Sequence, residues 1–207
     1  LLYNSGNAIT VIFVDIIYMN TEITDWQKID KSWTLFIDRD GVINHEKKED
    51  YILHKDEFEF FDGVLEAMKL LNNKFGRIVM VTNQKGVGRG LMSLEDLNEI
   101  HSYMMDNIVA NGGRVDKIYF CTDTDNLSIN RKPQHGMAIQ AKNDFEEIDF
   151  SKSIMVGNKL SDMKFGRNAG ISTVFVATTN PEYYPDETID YRFDDLLDFA
   201  KTITSKD

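Results

Sequence analysis

From residue 33 onward, short apolar runs alternate with longer amphipathic stretches. The runs are 33–37 (WTLFI), 78–81 (IVMV), 118–121 (IYFC), 154–156 (IMV) and 173–176 (TVFV). None alternates polar with apolar, so each reads as a strand buried on both faces of a parallel sheet. Helices are predicted between them. Asp62 is placed to cap one that carries Val64, Leu65, Met68 and Leu71. Ser93 opens an S-x-x-D pattern resembling a capping box. Behind it Leu97, Ile100, Met104 and Ile108 fall on one helical face, and Asn111-Gly112-Gly113 ends the element. Two further helices are predicted over 136–144 and 160–168, the second closed by Gly170. The alternation predicts an α/β fold: an open, mainly parallel sheet with helices on both faces.

The chain has 207 residues, enough for one such domain, placed at 31–207 behind an N-terminal extension of residues 1–30. Within that extension, 8–18 (AITVIFVDIIY) is densely apolar but has no basic residues ahead of it, unlike a signal peptide. It reads as an extra edge strand or as sequence preceding a start at Met19. The second reading is preferred, and no function is assigned to it. No apolar run reaches the length of a transmembrane helix. The single cysteine, Cys121, permits no intrachain disulfide, which points to a reducing, cytoplasmic setting. The net charge of -11 argues against non-specific nucleic-acid binding. It leaves room for a small anionic substrate, because a metal and a few placed cations can set the local field.

Ligands of parallel sheets lie beyond the carboxyl ends of the strands. After the first run stands Asp38-Arg39-Asp40-Gly41. It reads either as a polar turn or as a metal-bound nucleophile with a second carboxylate that handles protons. After the second run come Thr82-Asn83-Gln84 and Lys85-Gly86-Val87-Gly88-Arg89-Gly90. A hydroxyl there can hold a phosphate oxygen, and the glycines can turn backbone N–H groups toward an anion. Alone, the glycine segment reads better as a flexible surface loop, and it lacks P-loop spacing. Arg131-Lys132-Pro133 is either solvated cations or a phosphate clamp stiffened by proline. After the fourth run stands Gly157-Asn158-Lys159-Leu160-Ser161-Asp162. Asp162 is accounted for by a helix start alone, or it joins Asn158 as an oxygen donor to a hard cation such as Mg²⁺. Each signal has a bland account. Their order along one sheet edge supplies nucleophile, phosphate grip, charge neutralisation and metal, the needs of phosphoryl transfer.

The segments DRDGVIN (38–44), VTNQ (81–84), RKP (131–133) and VGNKLSDMKFGRNAG (156–170) resemble, in that order, the four motifs of the haloacid dehalogenase superfamily. The resemblance spans roughly 33–177. Within it, FEFFDGV (58–64), TNQKGVGRG (82–90) and RKPQHGM (131–137) lean toward the heptose-bisphosphate phosphatases, with the histidinol-phosphate phosphatases as relatives. The resemblance implies a Rossmann-like three-layer α/β/α sandwich without a large cap domain. It implies a Mg²⁺-dependent phosphomonoester hydrolase acting through a phosphoryl-aspartate on Asp38, with Asp40 as acid and base. Thr82 and Lys132 would hold the phosphoryl oxygens. Substrate contacts are implied near Asn44, Asn83, Gln84, Lys85, Arg131 and Lys159. Metal contacts are expected from Asp38, Asp40, Asn158 and Asp162. The implied substrate is a small phosphorylated metabolite, a heptose 1,7-bisphosphate, with histidinol phosphate or a catalytically weakened ligand-binding relative as alternatives. No nucleic acid, no membrane and a monomer or weak oligomer are expected.

Two departures stand out. Relatives of this type often carry a zinc loop after the third strand, whereas 121–130 here offers one cysteine and no histidine, so no zinc is expected. Cys121 reads instead as a small buried residue. The family pattern also has Asp where this chain has Asn158, which removes a negative charge from the metal site. His45 reads as a surface residue. His54, His101 and His135 are too scattered to suggest a metal site, and Met104 and Met105 read as helix packing. The acidic segment 46–57 reads as a solvated flap.

Overall fold

Four of the five apolar runs become strands covered on both faces by a hydrophobic layer, while the third forms an edge strand with Phe120 exposed. In the computed structural model, which describes residues 26–48 and 50–205, six strands form one sheet: β1 (Thr34–Ile37), β2 (Arg77–Asn83), β3 (Lys117–Cys121), β4 (Ser153–Gly157), β5 (Ser172–Val176) and β6 (Tyr191–Phe193). All neighbouring pairs are parallel and the order is β3-β2-β1-β4-β5-β6. The apolar stretch 8–18 and Met19 lie outside the described residues.

The helices are α1 (Val64–Lys74), α2 (Lys85–Gly88), α3 (Leu94–Ala110), α4 (Gly136–Asp144), α5 (Leu160–Ala169) and α6 (Leu196–Thr204). Side chains alternate across the sheet. Leu35, Ile37, Ile78, Met80, Ile154 and Val156 face one way, toward α1, α3 and α6. Phe36, Val79, Val81 and Met155 face the other way, toward α4 and α5. This is the three-layer α/β/α sandwich expected.

The boundaries agree closely with the apolar pattern, with four differences. The helix-cap role expected of Asp62 falls to Gly63, at φ +77° and without a side-chain cap. Segment 85–90 is no open anion loop. Val87 and Arg89 spend their N–H groups on the carbonyls of Gln84 and Lys85, forming the short helix α2. Strand β6 and helix α6 lie beyond the predicted elements. Finally, Ile29 is already buried in the core, and Trp26 packs edge-on to Tyr191 with centroids 4.7 Å apart. The packed domain therefore begins ahead of the boundary expected at residue 31. Ser93 does form the capping box with Asp96, and Gly170 closes α5 in the left-handed region.

The strand order places a switch point between β1 and β4, where the chain reverses its direction of travel across the sheet. A crevice opens there at the carboxyl ends. Ile37 stands opposite both Met80 and Val156, and Asp38 N–H continues the ladder by donating to the Val156 carbonyl at 3.0 Å. The first residue beyond β1 is thus pinned at the mouth of that crevice.

The fold makes Phe36 the buried centre of β1, tilted against Phe165 with centroids 6.4 Å apart. Phe36→Ala is expected to destabilise the protein by about 3–5 kcal/mol in a urea titration. A loss below about 1 kcal/mol would show that this layer does not anchor the strand.

Candidate functional site

Asp38 is almost fully buried. Its Oδ1 accepts from the Arg39 backbone N–H at 2.7 Å and lies 2.8 Å from Lys132 Nζ. Neither bond uses Oδ2. Lys132 reaches this point from the loop ahead of α4. Its ammonium also lies 2.7 Å from Asp162 Oδ1 and donates to the Val81 carbonyl at 2.8 Å. The ammonium is thus enclosed by three oxygens. Asn83 holds the same loop by bonding Lys132 in both directions, N–H to Oδ1 at 3.0 Å and Nδ2 to carbonyl at 3.1 Å.

Asp40 sits beside this pair in a different environment. Arg39 grips it with Nη2 2.9 Å from both carboxylate oxygens and Nε 3.2 Å from Oδ1. Asn44 and Gln84 donate to it at 3.0 and 2.9 Å. Gln84 Nε2 also donates to Thr82 Oγ1 at 2.9 Å, which ties the acid to the hydroxyl at the end of β2. The far end of Arg39 meets His101 Nε2 at 3.1 Å. Arginine has no acceptor, so this nitrogen accepts and the imidazole is neutral with its proton on Nδ1. Burial, then the Arg39 charge, push the His101 pKa down to about 3, in agreement.

The two aspartates titrate in opposite directions. Burial, reinforced by the Asp162 charge and opposed by Lys132, pushes Asp38 up to about 7. Burial acts on Asp40 too, but the Arg39 charge and the bonds from Asn44, Arg39 and Gln84 hold its pKa below the ordinary value. Such a divided pair marks separate chemical roles.

The residues present can be tested for a cation. Among the described residues no three His, Cys, Asp or Glu side chains form a metal cluster. The oxygens nevertheless suit a hard ion. Asn158 is fully buried, and its Oδ1 has no partner among the described residues. Asp38 keeps Oδ2 clear of the bonds that hold Oδ1. Among the described residues Asp38, Asp40 and Asp162 form ion pairs with Arg39 and Lys132, and the Lys159 charge acts on Asp38 and Asp162. Mg²⁺ is commonly bound by one or two carboxylates together with substrate phosphate, so the set fits. Asp162, also expected at the metal, lies beside Lys132. Its Oδ2 accepts from Lys159 N–H at the start of α5, at 3.0 Å, while its buried Oδ1 has an ion pair with Lys132 but no hydrogen bond among the described residues.

Above these groups lies a crevice of about 210 Å³. It is lined by Asp38, Asp40, Thr82, Asn83, Gln84, Lys85, Arg131, Lys132, Lys159 and Asp162 from the expected set, and also by Arg39, Glu46, Lys47 and Tyr51. Asn44 and Asn158 do not line it; both are fully buried beneath it. Asn44 therefore supports Asp40 rather than touching substrate, which corrects the contact expected of it. Arg131 Nη1 is buried and has no partner among the described residues. Arg89 lies near the Tyr51 ring, its carbon 5.8 Å from the centroid. Glu46 is no solvated flap residue. It pairs with Lys159 and accepts from Asn158 Nδ2 at 3.1 Å. Cys121 is buried as expected, and burial raises its thiol pKa. His45 is exposed as expected and lies against Phe61.

Sequence reasoning passed over Arg39, Glu46 and His101. His101 carried a signal: it shares the buried face of α3 with Leu97, Ile100, Met104 and Ile108. A histidine on that stripe needs a polar partner.

A buried aspartate at the switch point, a lysine bridging two carboxylates and a hydroxyl at the next strand end are the parts of a phosphoryl-transfer site. The family model described as polynucleotide kinase 3 phosphatase matches residues 29–184. A D-glycero-alpha-D-manno-heptose-1,7-bisphosphate 7-phosphatase of Campylobacter jejuni is 37% identical over 70% of this chain and 83% of its own. A D-glycero-beta-D-manno-heptose-1,7-bisphosphate 7-phosphatase of Helicobacter pylori is 33% identical over 81% of this chain and 96% of its own. The crystal structure of a D,D-heptose 1,7-bisphosphate phosphatase from B. bronchiseptica, complexed with magnesium and phosphate, superposes with a TM-score of 0.75. It is 29% identical, over 83% of this chain and 97% of that one. The chain belongs to the haloacid dehalogenase superfamily of phosphatases, in the family that contains these enzymes.

The raised pKa of Asp38 has a consequence for stability. Between the ordinary carboxyl value of 3.8 and about 7, the folded metal-free protein holds a proton that the unfolded chain has released. Stability therefore falls as pH rises through that window. In EDTA, the melting temperature of Asp38→Asn relative to the wild type is expected to rise from pH 5 to pH 8. Parallel curves for the two proteins would contradict the assignment.

Proposed function

We propose that this protein hydrolyses a sugar bisphosphate, a heptose 1,7-bisphosphate, through a phosphoryl-aspartate on Asp38, with Mg²⁺. The observation that carries this reading is the crevice itself. In a chain of net charge -11 it is lined by six cations, Arg39, Lys47, Lys85, Arg131, Lys132 and Lys159, against five acids, Asp38, Asp40, Glu46, Asp50 and Asp162. Arg131 Nη1 stands there without a partner among the described residues, available to a second anionic group. A guanidinium matches phosphate in shape and charge. Histidinol phosphate would instead bring an ammonium group toward these cations, which disfavours that alternative. The similarity to heptose-bisphosphate phosphatases supports the same choice.

In this reading one carboxylate oxygen of Asp38 attacks phosphorus in line, and the other would face the metal. The carboxylate's charge is lost as the acyl-phosphate bond forms and the bond from phosphorus to the sugar oxygen breaks, which releases the Lys132 ammonium toward a phosphoryl oxygen. Thr82 Oγ1 accepts from Gln84, which leaves the hydroxyl proton for another phosphoryl oxygen. Mg²⁺ would be held by Asp38, the Asp40 backbone carbonyl and Asn158, where it offsets charge on the transferring group. Arg39 keeps Asp40 ionised. To protonate the departing sugar oxygen, Asp40 must exchange Arg39 for that oxygen and take up a proton. It then serves as base toward water in the second half-reaction.

The test is phosphate release from heptose 1,7-bisphosphate, a sugar monophosphate and histidinol phosphate. The bisphosphate is expected to be the best substrate. Arg131→Ala should lower its kcat/KM by roughly ten- to a hundredfold, the worth of one charged hydrogen bond, and affect the monophosphate less. Preference for histidinol phosphate, or an equal loss on both sugar phosphates, would reject the bisphosphate reading.

A further inference from the structure

The Asn158 amide is held at one end only. Nδ2 donates to Glu46 Oε1 at 3.1 Å and to Thr179 Oγ1 at 2.6 Å, while Oδ1 is buried without a partner among the described residues. The amide packs directly on the backbone that follows Asp40. A Cβ built on Gly41 would stand 2.0 Å from Nδ2, and Gly41 itself is at φ +87°. A primary amide has a donor end and an acceptor end of nearly equal size, so its orientation is set by what surrounds it. Here the setting comes from Glu46. Its Oε2 is anchored by Lys159, which turns Oε1 to Asn158. Thr179 does not make the selection: its Oγ1 accepts from Asn180 Nδ2 at 2.8 Å, yet its hydroxyl can donate as well as accept.

We propose that Glu46 is a positioning residue of the cation site, an inference that rests on the phosphatase reading above. By accepting from Nδ2, Glu46 selects the amide orientation that turns Asn158 Oδ1 toward the cation. An aspartate at this position has two equivalent oxygens and needs no such selection. Positions 46 and 158 are therefore coupled, although 112 residues separate them in the chain. The coupling has a second face. A carboxylate at position 158 would replace a hydrogen bond to Glu46 with a close contact between like charges. In the metal-free protein that contact is destabilising.

The experiment is a double-mutant cycle on the full chain, comparing wild type, Glu46→Gln, Asn158→Asp and the double variant. Mg²⁺ binding is read by calorimetry without substrate, and melting is read in EDTA. Glutamine keeps the size of Glu46. Lys159 claims its single oxygen, so an N–H is turned to the Asn158 amide. Glu46→Gln is expected to weaken Mg²⁺ binding at least about tenfold in the wild-type background, the usual scale for a residue that orients a metal ligand. In the Asn158→Asp background the same change should cost less than about threefold. Asn158→Asp alone should lower the metal-free melting temperature by about 3 °C or more, and Glu46→Gln should restore it. The EDTA melts show whether each variant is folded. Equal weakening in both backgrounds, or none in either, would overturn the inference and leave the phosphatase reading standing. A wild type that binds no Mg²⁺ would overturn both.

Discussion

The ammonium of Lys132 is the contact on which the site depends. It reaches Asp38 beyond β1, the Val81 carbonyl in β2 and Asp162 in the first turn of α5. Three elements that are distant in sequence are thus held to one point. Burying such a group costs desolvation energy that its partners only partly return, so it is a poor device for stability alone. Its value is positional. It keeps two carboxylates near one another and near a place where phosphate can be received. Burial alone would strip the lysine of its charge, but Asp162 and Asp38 outweigh it, and the pKa is raised.

Around that contact the chain divides labour between two aspartates only two residues apart. Asp38 lies in the deeper position, where burial and the Asp162 charge raise its pKa, which suits a group that gives electrons to phosphorus when a cation completes the balance. Asp40 is clasped by Arg39, whose other end rests on a neutral His101. A protonated histidine would repel Arg39, so the burial of His101 in the apolar face of α3 keeps the clasp intact. A core helix thereby reaches Asp40 through Arg39 without lining the crevice.

Much of this was legible in the chain. β1, β2, β4 and β5 were legible because they are buried on both faces, and several motif residues stand at or just beyond strand ends. Asp38, Asp40, Thr82 and Lys132, singled out beyond the predicted strands, do come together at one crevice. What escaped reading was non-local. Arg39 is one residue from Asp38, yet its meaning lies in His101, 62 positions away. Glu46 sits in an acidic stretch of ordinary surface composition, and only folding brings it against Asn158 and Lys159. Asn44 was read as a substrate contact because its neighbours in the motif line the crevice, but its side chain turns inward to Asp40. Strand β6 is three residues long, at the sheet edge and only partly buried, so its pattern gave little to read.

Everything proposed for the crevice turns on whether Asp38 becomes phosphorylated. The direct experiment is to quench the protein in mid-turnover with borohydride, which reduces an acyl phosphate to an alcohol, and to sequence the peptides by mass spectrometry. Homoserine is expected in place of aspartate at position 38, and only when Mg²⁺ and substrate are both present. Full turnover with position 38 unmodified would rule out the phosphoryl-aspartate.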